Sequence, residues 1–192
     1  MDNIFKKFPI IKTKRLLLNE LRENDIKDLY SIYSNKKVMK YMQAEAIKNL
    51  KDAEKIYKSY KKMYRNKKGF RWGVRLQTNS NKLIGTFALH YYSKKNKRVE
   101  MGADLMPEYW NKGYSSEIVK KMINFAFEKL NIERLELRCL PENYPSKKIA
   151  EKFEFKYEGT LRNYVFVEGK GFLDESVYSL LKEEIFFDGF FN

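Results

Sequence analysis

The chain has 192 residues, with 39 Lys and Arg against 25 Asp and Glu for a formal net charge of +14, and it is 43% hydrophobic and 16% aromatic. That composition excludes a disordered chain, and the length suits one domain, 1–192, with a core of its own. No run of about 18 apolar residues is present and the first residues lack the apolar centre of a signal peptide, so the expectation is a cytoplasmic protein that does not cross or bind a membrane.

In chain order, residues 13–21, Thr-Lys-Arg-Leu-Leu-Leu-Asn-Glu-Leu, read as a first strand. Asn24 is a candidate cap for a helix that carries Ile26, Leu29, Tyr30 and Tyr33 on one face. Residues 38–42 read as a short apolar linker. A longer helix follows over 47–64, with Leu50, Ala53, Tyr57, Tyr60 and Tyr64 spaced 3-4-3-4 as a core-facing stripe and lysines elsewhere. Residues 71–77 and 82–92 are two strands joined by Thr-Asn-Ser-Asn, a turn composition. The positive excess concentrates in 48–68 and 94–98, a field that attracts polyanions or forms a solvated surface.

The stretch 100–117 reads as strand, polar loop and helix start. Val99, Met101, Ala103 and Leu105 alternate with Glu100, Gly102 and Asp104, and Pro107 marks where pairing stops. Asn111, Lys112, Gly113, Tyr114, Ser115 and Ser116 precede apolar residues at helical spacing from Ile118 to Leu130. Free N–H groups and the positive end of a helix dipole there suit a phosphate, with Gly113 allowing close approach and Lys112 adding charge. The same loop also reads as a plain connection capped by Asn111. No G-x-x-x-x-G-K-[ST], G-x-G-x-x-G or G-x-S-x-G occurs.

Residues 133–140 alternate as another strand, and 141–146 turn into a helix over 147–153. Residues 155–167 and 172–181 form a hairpin across Glu-Gly-Lys-Gly. The sole cysteine, Cys139, reads as a small buried hydrophobe, and with the sole histidine, His90, it leaves neither an internal disulfide nor a zinc site; no metal is expected. The tail 185–191, with four phenylalanines, is expected to be buried on the sheet or across a homodimer. The element order gives an α/β fold (mixed α+β), a mostly antiparallel twisted sheet of about seven strands with helices on both faces.

Several patches in this order resemble the GNAT superfamily of N-acetyltransferases, and more closely its branch of ribosomal-protein N-terminal acetyltransferases. They are Thr13-Lys-Arg-Leu-Leu-Leu; Met106-Pro-Glu-Tyr-Trp-Asn-Lys-Gly-Tyr-Ser-Ser-Glu117; Pro141-Glu-Asn-Tyr-Pro-Ser with the following helix; and Glu158-Gly-Thr-Leu-Arg162 with Gly171-Phe-Leu-Asp174. Departures from the family pattern are Asn111 and Glu154 where glycine is usual, Ser115 at the last loop position, and Ala103 and Asp104 in place of an aromatic pair. Ala150 stands where many members carry a tyrosine acid.

The resemblance implies transfer of an acetyl group from acetyl-CoA, a cosubstrate, to a primary amine: a protein N-terminus or a small molecule. It places the pantetheine along Glu100–Met106, with the N–H near Leu105 facing the thioester oxygen, and the pyrophosphate on Asn111–Ser116. Glu100 is the candidate base, or else an exposed strand carboxylate, with Asp104 as substitute. Ser146 is the candidate donor to sulfur, or the cap of its helix. Asn143 is a candidate for binding substrate or the pantetheine amide, or a turn residue. Lys147 and Lys152 are candidates for the ribose phosphate, or solvated lysines. Two other readings stand: a GNAT-fold protein that binds acyl-CoA without catalysis, and a nucleic-acid-binding module built on the basic 47–68 helix.

Overall fold

The computed structural model describes residues 2–187. Its strands are β1 (Ile11–Lys12), β2 (Leu16–Glu20), β3 (Phe70–Leu76), β4 (Gly85–Ser93), β5 (Arg98–Leu105), β6 (Arg134–Cys139), β7 (Lys156–Val167) and β8 (Gly171–Leu181). They form one sheet in the order β1-β2-β3-β4-β5-β6-β8-β7. Neighbours are antiparallel except β5 and β6, which are parallel. The strand beyond the expected seven or so is β1, whose two residues are too few to show a period.

Alternation along the strands sends one set of side chains to each face. Phe70, Trp72 and Val74 enter a core shared with Ile118, Met122 and Ala126 of helix α4 (Tyr114–Lys129) and Ala150 of α5 (Tyr144–Lys152). The other face is covered by α1 (Ile26–Tyr33), α2 (Lys36–Met39) and α3 (Leu50–Arg65), packed through Leu29, Ile32, Val38 and Ala53 against Leu21 and Leu83. In the α3 stripe Ala53 is buried and Tyr57, Tyr60 and Tyr64 are half-buried as expected, while Leu50 in the first turn is exposed. Ile185, in α6 (Lys182–Phe187), is buried against the larger core; residues 188–191 of the expected buried tail lie outside the described residues.

Three caps differ from expectation. Asn24 lies inside a 3-10 turn, Glu23–Asp25, and Asp25 holds the N-cap position of α1. The Asp25 carboxylate accepts from the Arg22 N–H at 2.7 Å and from Arg75 Nη2 at 2.6 Å, and Arg75 Nε donates to Asn19. This pair is buried, so removing one partner would cost about 3–5 kcal/mol. Asn35 accepts from the N–H groups of Lys37 and Val38 and so turns part of the expected linker into α2. Helix α5 begins at Tyr144, earlier than expected, because Asn143 caps it by accepting from the Ser146 N–H; Ser146 is not the cap.

Candidate active site

The one parallel contact creates an opening. β5 and β6 pair from Arg98↔Arg134 to Met101↔Leu137, and beyond that rung β5 runs on to Leu105 beside β4 alone. The Lys97 carbonyl accepts from the Glu133 and Arg134 N–H groups on the β6 side, and the Met106 N–H donates to the Ile84 carbonyl on the β4 side. Backbone alternation therefore turns the Ala103 and Leu105 N–H groups toward the gap that β6 has left. The Leu105 carbonyl accepts from Trp110 Nε1 at 2.7 Å. Met106 differs from expectation: its N–H is committed to β4 and its side chain packs in the α1–α3 core, so it does not offer a backbone donor to the gap.

At the far end of β5 the loop reaches the N-terminus of α4. Asn111 has φ +57 and Gly113 φ +75, two left-handed residues that fold the chain back tightly. Gly113, not Asn111, occupies the N-cap position, and it has no side chain to make a capping bond. The first helical donor is Glu117, to the Gly113 carbonyl at 3.1 Å, so the N–H groups of Tyr114, Ser115 and Ser116 precede the helical ladder. Lys112 Nζ lies over the Tyr109 ring at 5.6 Å.

This loop is braced by residues that sequence reasoning did not single out. Arg15 Nη1 donates to the Lys112 carbonyl at 2.9 Å, and its guanidinium lies 4.4 Å over the Tyr114 ring. Glu117 accepts from the Arg15 N–H at 2.8 Å, from Arg15 Nε at 2.7 Å and from the Thr13 hydroxyl. Burial works against it, but these bonds hold the Glu117 carboxyl below its ordinary pKa. Beside α4 lies a cleft of about 500 Å³ lined by Ser116, Lys120, Lys121, Asn124 and Lys152, among others. Lys152 Nζ donates to the Ser116 hydroxyl at 3.1 Å, and the Asn124 Oδ1 atom is buried without a partner.

Ser146 and Lys147 lie in the first turn of α5, with Lys147 Nζ 5.8 Å from the Tyr144 ring centroid. Lys147 also acts electrostatically on Cys139, the last residue of β6. Burial pushes the Cys139 thiol up to about 11, which keeps it protonated. The Asn143 side-chain oxygen is taken by its capping bond.

The face of β5 opposite α4 carries Glu100, Gly102 and Asp104. The Asp104 carboxylate is buried and accepts from Tyr33, Thr86 and Arg71, at 3.0, 3.0 and 2.8 Å. Those three bonds tie Asp104 to β3, β4 and α1. Glu100 is different: its nearest cation, Arg138 Nε, stands at 3.5 Å from Oε2, and Arg138 is shared with Glu136 and Glu175. Burial pushes the Glu100 carboxyl up to about 7, against the pull of Arg138. Glu100 sits one rung before the strands part.

β5 thus presents a strand edge opened by a parting neighbour, with a helix N-terminus at one end and a half-buried carboxyl of raised pKa at the other. Residues 15–156 match the family described as the acetyltransferase (GNAT) domain. The chain belongs to the GNAT acetyltransferase family and is an acyltransferase. Over 175 residues it is 31% identical to the uncharacterized N-acetyltransferase YoaA of Bacillus subtilis, covering 91% of this chain and 98% of that protein. Its fold matches the crystal structure of a GNAT-family acetyltransferase from Bacillus anthracis at TM-score 0.78 and 28% identity, covering 92% of this chain and 100% of that one. It also matches, at TM-score 0.76 and 22% identity, spermidine N-acetyltransferase from Vibrio cholerae in complex with CoA and spermine, covering 89% of this chain and 98% of that one; at this identity the likeness concerns the fold.

Proposed function

We propose that the protein transfers the acetyl group of acetyl-CoA to a primary amine by direct attack on the thioester. The observation that carries this reading is the open β5 edge, with Glu100 at its closed end and the α4 N-terminus at the other. The residues present fit the cosubstrate. Ala103 and Leu105 supply unpaired N–H groups along the edge, and a Cβ at Gly113 would point into space otherwise bounded only by Arg15 Nη2, at 3.5 Å. The lysine-bearing cleft with the orphaned Asn124 carbonyl lies just beyond. A similar solved structure holding CoA supports the same assignment.

In this reading the N–H groups of Tyr114–Ser116, with Lys112 and the left-handed turn at Asn111 and Gly113, hold the pyrophosphate. Lys152 and Lys147 supply positive charge toward the ribose phosphate. The Leu105 N–H faces the oxygen of the thioester and stabilises the negative charge that develops there. Glu100 takes a proton from the acceptor ammonium, which frees its lone pair to form the C–N bond as the C–S bond breaks. Of the two protons that the ammonium loses, one ends on the departing sulfur, given by way of Ser146, and the other leaves to solvent from Glu100. A carboxyl pKa near 7 matches the base to neutral pH.

The acceptor is a primary amine of a small molecule, such as a polyamine, or a protein N-terminus. Thiol release from acetyl-CoA, measured with panels of both kinds, tests the reading. Acetylated product from one amine class is the expected result; calorimetry with no CoA binding at millimolar concentration would overturn it.

A further inference from the structure

We propose that His90 is the positioning residue for Glu100: its Nε2 atom holds the Glu100 carboxyl at the wall of the open space over Gly102, where the acceptor nitrogen stands. This rests on the reading of Glu100 as the base, and two distances put Nε2 beside both the carboxyl and Gly102. His90 and Glu100 are cross-strand partners in the β4–β5 ladder, with Nε2 3.5 Å from Glu100 Oε1. A Cβ built on Gly102, two residues from Glu100 on the same face, would meet His90 Nε2 at 3.5 Å and no other atom within 4 Å. The imidazole thus borders both the carboxyl and an unfilled space on the side of β5 away from α4.

The backbone is arranged to aim this side chain. Immediately after His90 the β4–β5 ladder slips, before pairing resumes at Ser93↔Arg98, and Tyr91 takes φ +52. The Tyr91 ring lies 4.7 Å from the imidazole centroid. Bulges of this kind re-aim side chains beside active sites.

The charges around the pair divide the labour. Arg98 on β5, Glu136 and Arg138 on β6 and Glu175 on β8 act on Glu100; Arg71 on β3 acts on His90. Arg138 stands beside Oε2 and His90 beside Oε1, so each carboxyl oxygen has its own neighbour. Burial, and then Arg71, hold the imidazole down to about 3, so His90 stays neutral and does not compete for the acceptor's proton. A neutral imidazole can accept from a protonated Glu100 or donate to its carboxylate, according to tautomer. At 3.5 Å the contact is long, and hydrogen bonds of catalytic groups often tighten only when substrate is bound.

His90 is the only histidine of the chain, so an untagged sample gives a single set of ring resonances. Between pH 5 and 8 that ring should show no imidazolium formation, yet shift with a midpoint near 7 as Glu100 titrates, and Glu100→Gln should abolish the shift. In thiol release from acetyl-CoA with the most reactive amine of the panel, His90→Leu should move the acid limb of kcat/KM by about one pH unit and lower kcat about tenfold, at unchanged KM for acetyl-CoA. His90→Gln, which keeps a hydrogen-bonding group, should restore most of both, and it carries the test if the Leu variant does not fold. A ring that protonates near 6.5, or whose titration ignores Glu100→Gln, overturns the proposal. So does an unmoved limb in the His90 variants when Glu100→Gln is crippled, which leaves His90 as packing. A silent Glu100→Gln overturns the base assignment itself, and the proposal with it.

Discussion

Asp104 Oδ2 lies 2.8 Å from Arg71 Nη1 in a buried pair, whereas Glu100, four residues earlier on the same face, stands 3.5 Å from its nearest cation. Spacing alone makes the two carboxylates equivalent; their partners separate them. Asp104→Asn should leave Arg71 without its counter-ion and lower stability by about 3 kcal/mol or more, read as a lower melting temperature. Glu100→Gln should leave the fold intact and lower kcat/KM by roughly 10²–10⁴-fold. A crippled, well-folded Asp104→Asn beside an active Glu100→Gln would reverse the assignment.

Glu100 also sets a pH dependence. As a base it works ionised, so kcat/KM should rise with pH through about 7 and flatten above. The stability effect runs the other way. The folded-state pKa is raised from 4.5, so the native chain binds the proton more tightly than the unfolded one, and the stability this gives at low pH is lost as pH rises through about 7. Relative to Glu100→Gln, the wild type should lose on the order of 3 kcal/mol between pH 4 and pH 8 in denaturant titrations. A pH-independent difference between the two would contradict this.

Gly113 should be intolerant for two separable reasons. Its φ of +75 costs any L residue roughly 1–2 kcal/mol, and a branched side chain would stand where the phosphate is proposed to bind. Gly113→Ala should therefore lower the melting temperature with a modest loss of affinity. Gly113→Val should weaken acetyl-CoA binding at least tenfold by calorimetry. Equal affinity in Gly113→Val and wild type would remove the phosphate from this loop.

Asn143 and Ser146 can be told apart by the same logic. Asn143 accepts the capping bond of α5, so Asn143→Ala should cost about 1 kcal/mol of stability. Ser146 gives the helix only its N–H, which alanine also has, so Ser146→Ala should leave the melting temperature in place and lower kcat if the hydroxyl protonates sulfur. A Ser146→Ala variant with lower stability and unchanged kcat would return the hydroxyl to a structural role.

The helices over 26–33, 50–65 and 114–129 were legible because apolar residues recur at helical spacing, and the strands because theirs alternate. The loop at 111–116 was legible as a motif. The caps were not: Asn24, Asn111 and Ser146 are all capping residue types, but backbone angles decide which residue can cap, and the neighbours that fix those angles are not local. The site was half legible for the same reason. Glu100 is placed by the strand motif, but its companions His90, Arg138 and Glu175 come from three other strands, and alternation gives a residue's face without its partner. Arg15 and Glu117, 102 positions apart, meet through a salt bridge that no spacing announces.

The one parallel seam of the sheet has a consequence for solvent exchange. Along β5, amides facing β4 are locked in a ladder, while those of Ala103 and Leu105 face the gap left by β6. In the free protein, deuterium uptake should therefore alternate residue by residue across 102–106, fast at the two odd positions and slow at the even ones. An extended acyl donor lying in the seam would act as the missing strand and erase the alternation, so the exchange pattern of five residues would report occupancy of the site without any acceptor amine present.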